Sequence, residues 1–167
     1  MSTTTFEQAR SIPAAQPWRR ALTRLVSTTP DSAATVARVT LALVMLPHGL
    51  QHTGGWLGGF GFTKTMGYFG SLGIPVPLGF AAIAAEVLGP LALLVGMGGR
   101  AAAAAIAAVM AVAALTVHAP NGFFMNWLGN QHGEGYEYHL LAIALATVVM
   151  IRGSGSWSVD RKLTERS

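Results

Sequence analysis

Long apolar runs are the feature that most constrains how this chain folds. Of its 167 residues, 51% are hydrophobic and only 11% are charged, whereas an ordinary soluble domain carries roughly 25% charged residues. The apolar residues form runs of membrane-spanning length instead of short alternating blocks. A chain of this length forms one domain. We therefore predict an all-α integral membrane protein.

Four segments have the composition of a membrane-spanning helix, and they are residues 33–50, 77–97, 100–118 and 137–151. The last is the shortest, and it approaches the ~20 residues needed to cross a bilayer by including part of the glycine-rich segment before it. These spans predict a four-helix bundle over residues 31–152. A flexible basic arm, residues 1–30, precedes the bundle, and a basic tail, residues 153–167, follows it.

The positions of lysine and arginine predict the orientation of the bundle. Outside the spans, every basic residue except Lys64 lies in the N-terminal arm, the connection between the second and third spans, or the C-terminal tail. By the positive-inside rule both termini are cytoplasmic, and residues 51–75 and 119–136 face outward. The basic residues flank apolar runs and form no basic face with interleaved aromatic residues, so the predicted partner is the lipid bilayer and not nucleic acid.

The first outward segment contains Phe62, Met66, Phe69 and Gly73 at helical spacing. We expect a short amphipathic helix that lies in the membrane interface. Exposed aromatic residues in the same segment belong to the aromatic belt of such an interface, namely Trp56, Phe60 and Tyr68.

Small residues predict which spans pack most closely. On the second span they recur every four residues at Ala81, Ala85 and Gly89. On the third span a complementary face is formed by Ala101, Ala104, Ala105, Ala108 and Ala111; the alternative is that alanine is simply frequent in this chain. Helices in lipid associate through such small residues. We expect the second and third spans to pack together through these faces.

Glu86 is a carboxylate about ten residues into the second span, roughly 15 Å deep at 1.5 Å per residue. An ionised carboxylate at that depth needs a partner or water. Arg38 lies inside the first span, which runs in the opposite direction, and we expect the two side chains to be in contact. Such a contact is either part of a proton or ligand site or an ion pair that fixes the register of the helices.

The histidines all lie toward one end of the predicted bundle, at His48, His52, His118, His132 and His139. His48 and His52 are four residues apart and share a helical face. With His118 and His139 they are positioned to line an outward-facing polar pocket for proton transfer, metal binding or hydrogen bonding to a quinone carbonyl. The alternative is that these histidines only tolerate the interface between water and lipid.

The second outward segment mixes amides, carboxylates and aromatic residues, among them Asn126, Trp127, Glu134 and Tyr138. We expect it to fold over the pocket as a lid; the alternative is an aromatic-belt loop without a ligand. The chain has no cysteine, which excludes thiolate chemistry, disulfides and cysteine-bound clusters. A redox role therefore requires a bound cofactor or a quinone.

Several segments resemble the DoxX family of small four-span bacterial membrane proteins. They are PHGLQ, GFTKTMGYFGSLGIPVPLGFAAIAAEVLGPLALLVGMGGR, NGFFMNWLGNQHGEGYEYHLL and GSGSWSVDR, and together they cover residues 33–161. The resemblance implies a multi-pass protein of the bacterial inner membrane and redox chemistry linked to sulfur compounds or quinones. Relatives often carry lysine in place of His52. The matching positions include His48, Gly49, Glu86, Asn126, Glu134, Tyr138 and His139.

Together these features give a functional hypothesis. Glu86, His48 and His139 transfer protons, and a quinone or small redox substrate is bound by Arg38, His52, His118, Asn126, Trp127, Glu134 and Tyr138. A quinone is preferred to haem or a metal ion as the ligand, and we assign no metal ligands. The alternatives are a carrier of protons or small solutes and a non-catalytic scaffold subunit. A second copy of the chain and a soluble redox protein both stay open as partners.

Overall fold

A computed structural model describes residue 23 and residues 25–165 of the chain. Most of the predicted N-terminal arm, residues 1–22 and 24, lies outside the described residues, as do residues 166–167 at the end of the predicted tail. All regular structure in the described residues is helical, which confirms the predicted all-α class. The α-helices are α1 (Ser32–Gly54), α2 (Gly61–Ser71), α3 (Val76–Val95), α4 (Gly99–Ala113), α5 (Glu137–Arg152) and α6 (Val159–Thr164).

Three helical segments are long and apolar enough to cross a membrane. They are α1, α3 and the segment Gly99–Asn121, in which α4 continues through a π-helical turn, Ala114–His118, and a short 3₁₀ turn, Ala119–Asn121. The fourth predicted span corresponds to α5, which has 16 residues. At 1.5 Å per residue α5 is about 24 Å long, shorter than the other three.

The helix ends follow the local chemistry of the sequence. Asp31 caps α1, since its carboxylate accepts hydrogen bonds from the backbone N–H groups of Ala33 and Ala34 at 2.9 and 3.1 Å. Gly96 ends α3 in the left-handed conformation with φ 68°, and Gly98, with φ 62°, begins the turn into α4. Residues 96–99 therefore form a tight turn, which places α3 and α4 side by side.

The apolar core lies between α1, α3, α4 and α5. Its fully buried members are small or aliphatic side chains: Leu41, Ala42, Met45, Leu93, Ala103, Ile106, Ala146 and Val149. Each long helix contributes to this core, so α5 packs as a full member of the bundle.

The short helix predicted in the first connection is present as α2, and it packs on the start of α3. A Cβ atom added to Gly79 of α3 would lie 3.1 Å from the Phe69 ring and 3.3 Å from Met66. The apolar face of α2 therefore contacts protein, while Trp56 and Phe60 at the preceding turn are exposed.

The predicted alanine face of the third span is wrong. Ala101, Ala104, Ala105 and Ala108 are exposed, whereas Ala103, Ile106 and Met110 point into the core. Gly89 of α3 does pack on α4, but it packs against Ile106, whose side chain would be 3.1 Å from an added Cβ. Because nearly every position on α4 is alanine, the sequence spacing does not indicate which face is buried.

Arg38 organises the end of the bundle opposite the two long connections. The residue is 2% exposed. Its guanidinium donates five hydrogen bonds, 2.5 to 3.3 Å long, to the backbone carbonyls of Leu93, Leu94, Ser154, Ser156 and Trp157. These bonds use all five donors of an arginine. Two of the acceptors end α3, and the other three belong to the segment that follows α5. We call this end of the bundle the clasp end, and the end that bears the α1–α3 and α4–α5 connections the loop end.

Asp160 is the buried acidic residue that the structure describes at the same end. It is 1% exposed, and its carboxylate accepts hydrogen bonds from the N–H groups of Gly98 and Gly99 at 2.8 and 3.1 Å and from the Ser154 hydroxyl at 2.6 Å. The first two donors begin α4, where a negative charge is favourable. The segment predicted as a tail therefore packs, from residue 153 to residue 160, against the turn between α3 and α4.

Replacement of Asp160 by asparagine tests the contribution of this carboxylate to stability. In Asp160→Asn one acceptor oxygen becomes an N–H₂ group that faces other donors, so we expect a loss of about 1.5 to 3 kcal/mol, as for hydrogen bonds to a charged group. The thermal unfolding midpoint of the purified protein in detergent measures the change. Glu165→Gln is the matched control, because Glu165 forms an exposed ion pair with Arg161 that contributes little. Equal midpoints for the two variants would contradict the prediction.

Candidate functional site

Gly49 sets the distance between α1 and α3 at the loop end. A Cβ atom at this position would lie 2.3 Å from the backbone oxygen of Glu86 and 2.9 Å from the Val87 side chain. No residue larger than glycine fits there unless the helices move apart. The close approach places the next turn of α1 beside the Glu86 side chain.

Glu86 is paired with His52 at this level of the bundle. The carboxylate, on a residue that is 4% exposed, lies 2.5 Å from Nδ1 of His52, whose side chain is 29% exposed. A carboxylate and an imidazole at this separation form either an ion pair or a neutral hydrogen-bonded pair. These two states differ only in which atom holds one proton. The pair is therefore a place where a proton can be held and passed on.

The predicted contact between Arg38 and Glu86 is wrong. Arg38 donates to five carbonyls at the clasp end, while Glu86 lies level with Gly49. Eleven residues separate Arg38 from Gly49 along α1, which is about 16 Å at 1.5 Å per residue. The prediction failed because Arg38 is only six residues from the start of α1, whereas α1 continues to Gly54, four residues beyond the predicted end of the span.

Four aromatic rings extend the site from α1 to α4. The ring of His48 is 5.8 Å from that of Tyr138, the Tyr138 ring is 5.9 Å from that of His139, and the rings of His139 and His118 are 4.1 Å apart between centroids. His48 is also within electrostatic reach of Glu86 and His52. The structure thus brings together the four histidines, Glu86 and Tyr138 that sequence analysis assigned to one pocket.

The two histidines farthest from Glu86 differ in their hydrogen bonding. Nδ1 of His118 lies 2.8 Å from the backbone oxygen of Glu134. Because a carbonyl only accepts, this nitrogen must carry the proton, which leaves Nε2 of His118 as an acceptor. His139 is 6% exposed, and its Nδ1 is buried without a hydrogen-bond partner. A buried polar atom of this kind is a position that a bound molecule or water satisfies.

The remaining predicted ligands lie outside this cluster. The Asn126 side chain bonds to Gln131 within the α4–α5 connection, and Trp127 is 83% exposed with its indole N–H directed at Glu137, 3.4 Å away. The Glu134 carboxylate accepts from the Asn126 backbone at 2.6 Å, so Glu134 contributes to the site only through its carbonyl. The Asn126 amide, which was expected to belong to a lid over the pocket, instead forms hydrogen bonds within the α4–α5 connection.

Two residues of the site were not assigned a role by sequence analysis. Phe69 of α2 stacks edge-on against His52, with 6.3 Å between the ring centroids, and Gly49 allows the close approach of α3. A glycine between two histidines inside a helix is the signal that would have indicated Gly49, because glycine is costly there unless a backbone comes close.

Within residue 23 and residues 25–165, no group of three histidine, aspartate or glutamate side chains is placed to hold a metal ion.

The fold and the site together define a class of protein. Three apolar helices of spanning length and a buried carboxylate–histidine pair between two of them indicate an integral membrane protein with a polar site at one end of its helices. A protein-family comparison matches residues 33–119 to DoxX. This match covers more than half of the chain, and the chain belongs to the DoxX family. Searches among curated proteins and among solved structures gave no match.

Alanine at position 49 tests the close approach of α1 and α3. The added methyl group of Gly49→Ala overlaps the Glu86 carbonyl, so the helices must separate, and we expect a loss of stability of about 1 to 3 kcal/mol. Gly67→Ala is the matched control, since Gly67 is also helical and nothing lies within 4 Å of its added Cβ. Thermal unfolding in detergent compares the two. A Gly49→Ala protein as stable as Gly67→Ala would show that the helices do not touch at this level.

Proposed function

We propose that this DoxX protein is a component of membrane redox chemistry that binds a quinone or a similar small redox substrate at the loop end of the bundle. The observation that carries the proposal is the buried Glu86–His52 pair, at 2.5 Å. Reduction of a quinone to a quinol takes up two electrons and two protons, so its site needs groups that exchange protons. A carboxylate and an imidazole in contact are such groups.

Two further side chains support a ligand beside the pair. His139 offers a buried Nδ1 without a partner, and His48 is exposed at the same end of the bundle. The Tyr138 ring lies between them, and its hydroxyl donates only to the sulfur of Met45, at 3.7 Å. An aromatic wall flanked by imidazole groups suits a flat ring that carries carbonyl oxygens.

In this proposal each residue has a distinct task. Glu86 and His52 hold and pass the protons, His48 and His139 hydrogen-bond the ligand, and Phe69 and Tyr138 form apolar walls. His118 orients the His139 ring from α4. The electrons come from a reduced co-substrate or a soluble redox protein, because the chain has no cysteine to supply them.

The proposal includes four membrane spans with both termini in the cytoplasm of a bacterial cell, in the inner membrane. The core contribution of α5 through Ala142, Ala146 and Val149 supports a fourth span. The cytoplasmic assignment of the clasp end rests on its basic residues Arg100, Arg152, Arg161 and Lys162. A bilayer deforms to match a short helix at modest cost, so a length of 16 residues is compatible with spanning.

Single-cysteine labelling tests this topology directly, since the native chain has no cysteine. In intact cells, a membrane-impermeant maleimide should label Asn130→Cys, which lies exposed in the α4–α5 connection, but not Met97→Cys, which lies exposed in the α3–α4 turn. Both should react after the membrane is permeabilised. Labelling of Met97→Cys in intact cells, or equal labelling of both positions, would contradict four spans with cytoplasmic termini.

Binding of a short-chain benzoquinone to the purified protein tests the ligand. We expect Glu86→Gln and His139→Gln each to weaken binding at least about tenfold, which corresponds to about 1.4 kcal/mol and lies within the range for a lost hydrogen bond to a buried group. His132→Gln is the matched control, because His132 is exposed in the α4–α5 connection. Tryptophan fluorescence quenching or calorimetry gives the dissociation constants.

Further measurements on the same purified proteins distinguish the redox, carrier and scaffold hypotheses. If the wild-type protein binds no quinone but carries a small solute into liposomes, the carrier hypothesis replaces the redox one. If it does neither, and a soluble protein co-purifies with both the wild type and Glu86→Gln, the chain is a scaffold subunit. Equal quinone affinity in Glu86→Gln, His139→Gln and His132→Gln would place any quinone outside this site.

A further inference from the structure

The side chains that α1 turns toward the bundle change character twice along the helix. Arg38 lies near the clasp end, Leu41, Ala42 and Met45 follow in the middle, and the His52 turn lies at the loop end beside Gly49. The polar groups are thus separated by an apolar stretch. The seven residues between Arg38 and Met45 correspond to about 10 Å along the helix.

The other long helices repeat this order. On α3, Glu86 is followed by the buried Gly89, Pro90 and Leu93. On α5, His139 is followed by Ala142, Ala146 and Val149. On α4, which runs in the opposite direction to α5, the buried residues between Arg100 and His118 are Ala103, Ile106, Met110 and Ala114. An apolar layer therefore crosses the whole bundle between the two ends.

Buried polar side chains in the described part of the chain occur only at the two ends. Those of the loop end are Thr65, Glu86 and His139, and those of the clasp end are Thr28, Thr35, Arg38, Ser154, Ser158 and Asp160. In the apolar layer between them, the Met45 sulfur accepts weakly from Tyr138, and the part-buried Thr147 hydroxyl donates to the Ile143 carbonyl of its own helix. Neither group leads from one end of the bundle to the other. A proton crosses protein along hydrogen-bonded groups or water, and close-packed aliphatic side chains provide neither.

Among the described residues, the two buried charged groups of the clasp end are already fully hydrogen-bonded. The donors of Arg38 are all used by carbonyls, and the Asp160 carboxylate accepts from two backbone N–H groups and from Ser154. At the loop end, in contrast, His52 is 29% exposed and His48 is exposed. Polar groups that lead from Glu86 to water therefore lie on one side only.

We infer that the Glu86–His52 pair exchanges protons with water at the loop end alone, and that the bundle does not conduct protons from one end to the other. The inference deepens the proposed function, on which it rests for the use of these protons. A quinone that is reduced at the site takes its two protons from the loop side, and a quinol that is oxidised there releases its two protons to the same side.

The groups that face His52 are limited to the loop end as well. Glu86 faces it from α3, His48 lies one turn away on α1, and α2 contributes the uncharged ring of Phe69. Lys64 on α2 is exposed. The protonation of His52 is therefore coupled to groups that are themselves on the loop side of the apolar layer.

The test uses the full-length protein without any quinone, in sealed liposomes. The histidines carry ¹⁵N, and solid-state NMR follows their protonation while the pH of one compartment is changed. The signals of His52 are identified by their loss in His52→Gln, and those of His132 by their loss in His132→Gln. His132 is an internal reference, because it is exposed in the α4–α5 connection and must follow the pH on the loop side. Reaction of Asn130→Cys with an impermeant maleimide measures the fraction of molecules with each orientation.

We expect the His52 signals to follow the same compartment as those of His132 and to ignore the other compartment. We also expect the liposomes to take up protons under an imposed membrane potential no faster than protein-free liposomes. A His52 response to the clasp side, or proton uptake above that of protein-free liposomes, overturns the inference. A protein that fails to bind quinone but gives the expected NMR result refutes the proposed ligand and leaves the sidedness established.

Discussion

The hydrogen bonds of Arg38 are the interaction on which the architecture most depends. A buried guanidinium is costly unless each donor is satisfied, and here carbonyls from the end of α3 and from residues 154–157 satisfy all five. The last carbonyls of a helix lack the usual N–H partners of the helix interior. Arg38 donates to two of them on α3, those of Leu93, which also accepts from the Gly96 N–H, and Leu94. Trp157, in the left-handed conformation with φ 50°, is held in this strained backbone geometry by its bond to Arg38. One side chain thus joins α1, α3 and the chain after α5.

The buried carboxylate of the loop end differs from Arg38 in its hydrogen bonding. Glu86 has a single side-chain hydrogen-bond partner, His52, and that partner can itself gain or lose a proton. Because all five donors of Arg38 are hydrogen-bonded, the helices around it are held in one arrangement. The Glu86–His52 pair, in contrast, has two protonation states of similar geometry. The contrast separates a structural charge from one suited to chemistry. It also explains why the glycine at position 49 is needed, since the pair forms only where the backbones of α1 and α3 come close.

Sequence patterns predicted the features that depend on local order or on bulk polarity. The helices and the convergence of His48, His52, His118 and His139 follow from apolar periodicity and the alternation of helix direction. The failures concern lateral contacts. Arg38 and Glu86 were paired from depths counted along single helices. Because α1 continues to Gly54, four residues past the predicted span, Glu86 lies level with Gly49 and not with Arg38. On α4, where alanine occupies both faces, no pattern distinguished the buried face.

The family match covers only part of the polar site and only part of the clasp end. The DoxX match ends at residue 119, but Tyr138 and His139 complete the polar site from α5, and Ser154, Trp157 and Asp160 complete the clasp. Each half of the chain therefore supplies part of both ends of the bundle. The residues that carry the strongest chemistry, Glu86 and His52, belong to the matched part, while the buried, unpartnered Nδ1 of His139 belongs to the remainder. A ligand that bridges these groups would contact both parts, so its binding depends on how α5 packs as much as on the matched region.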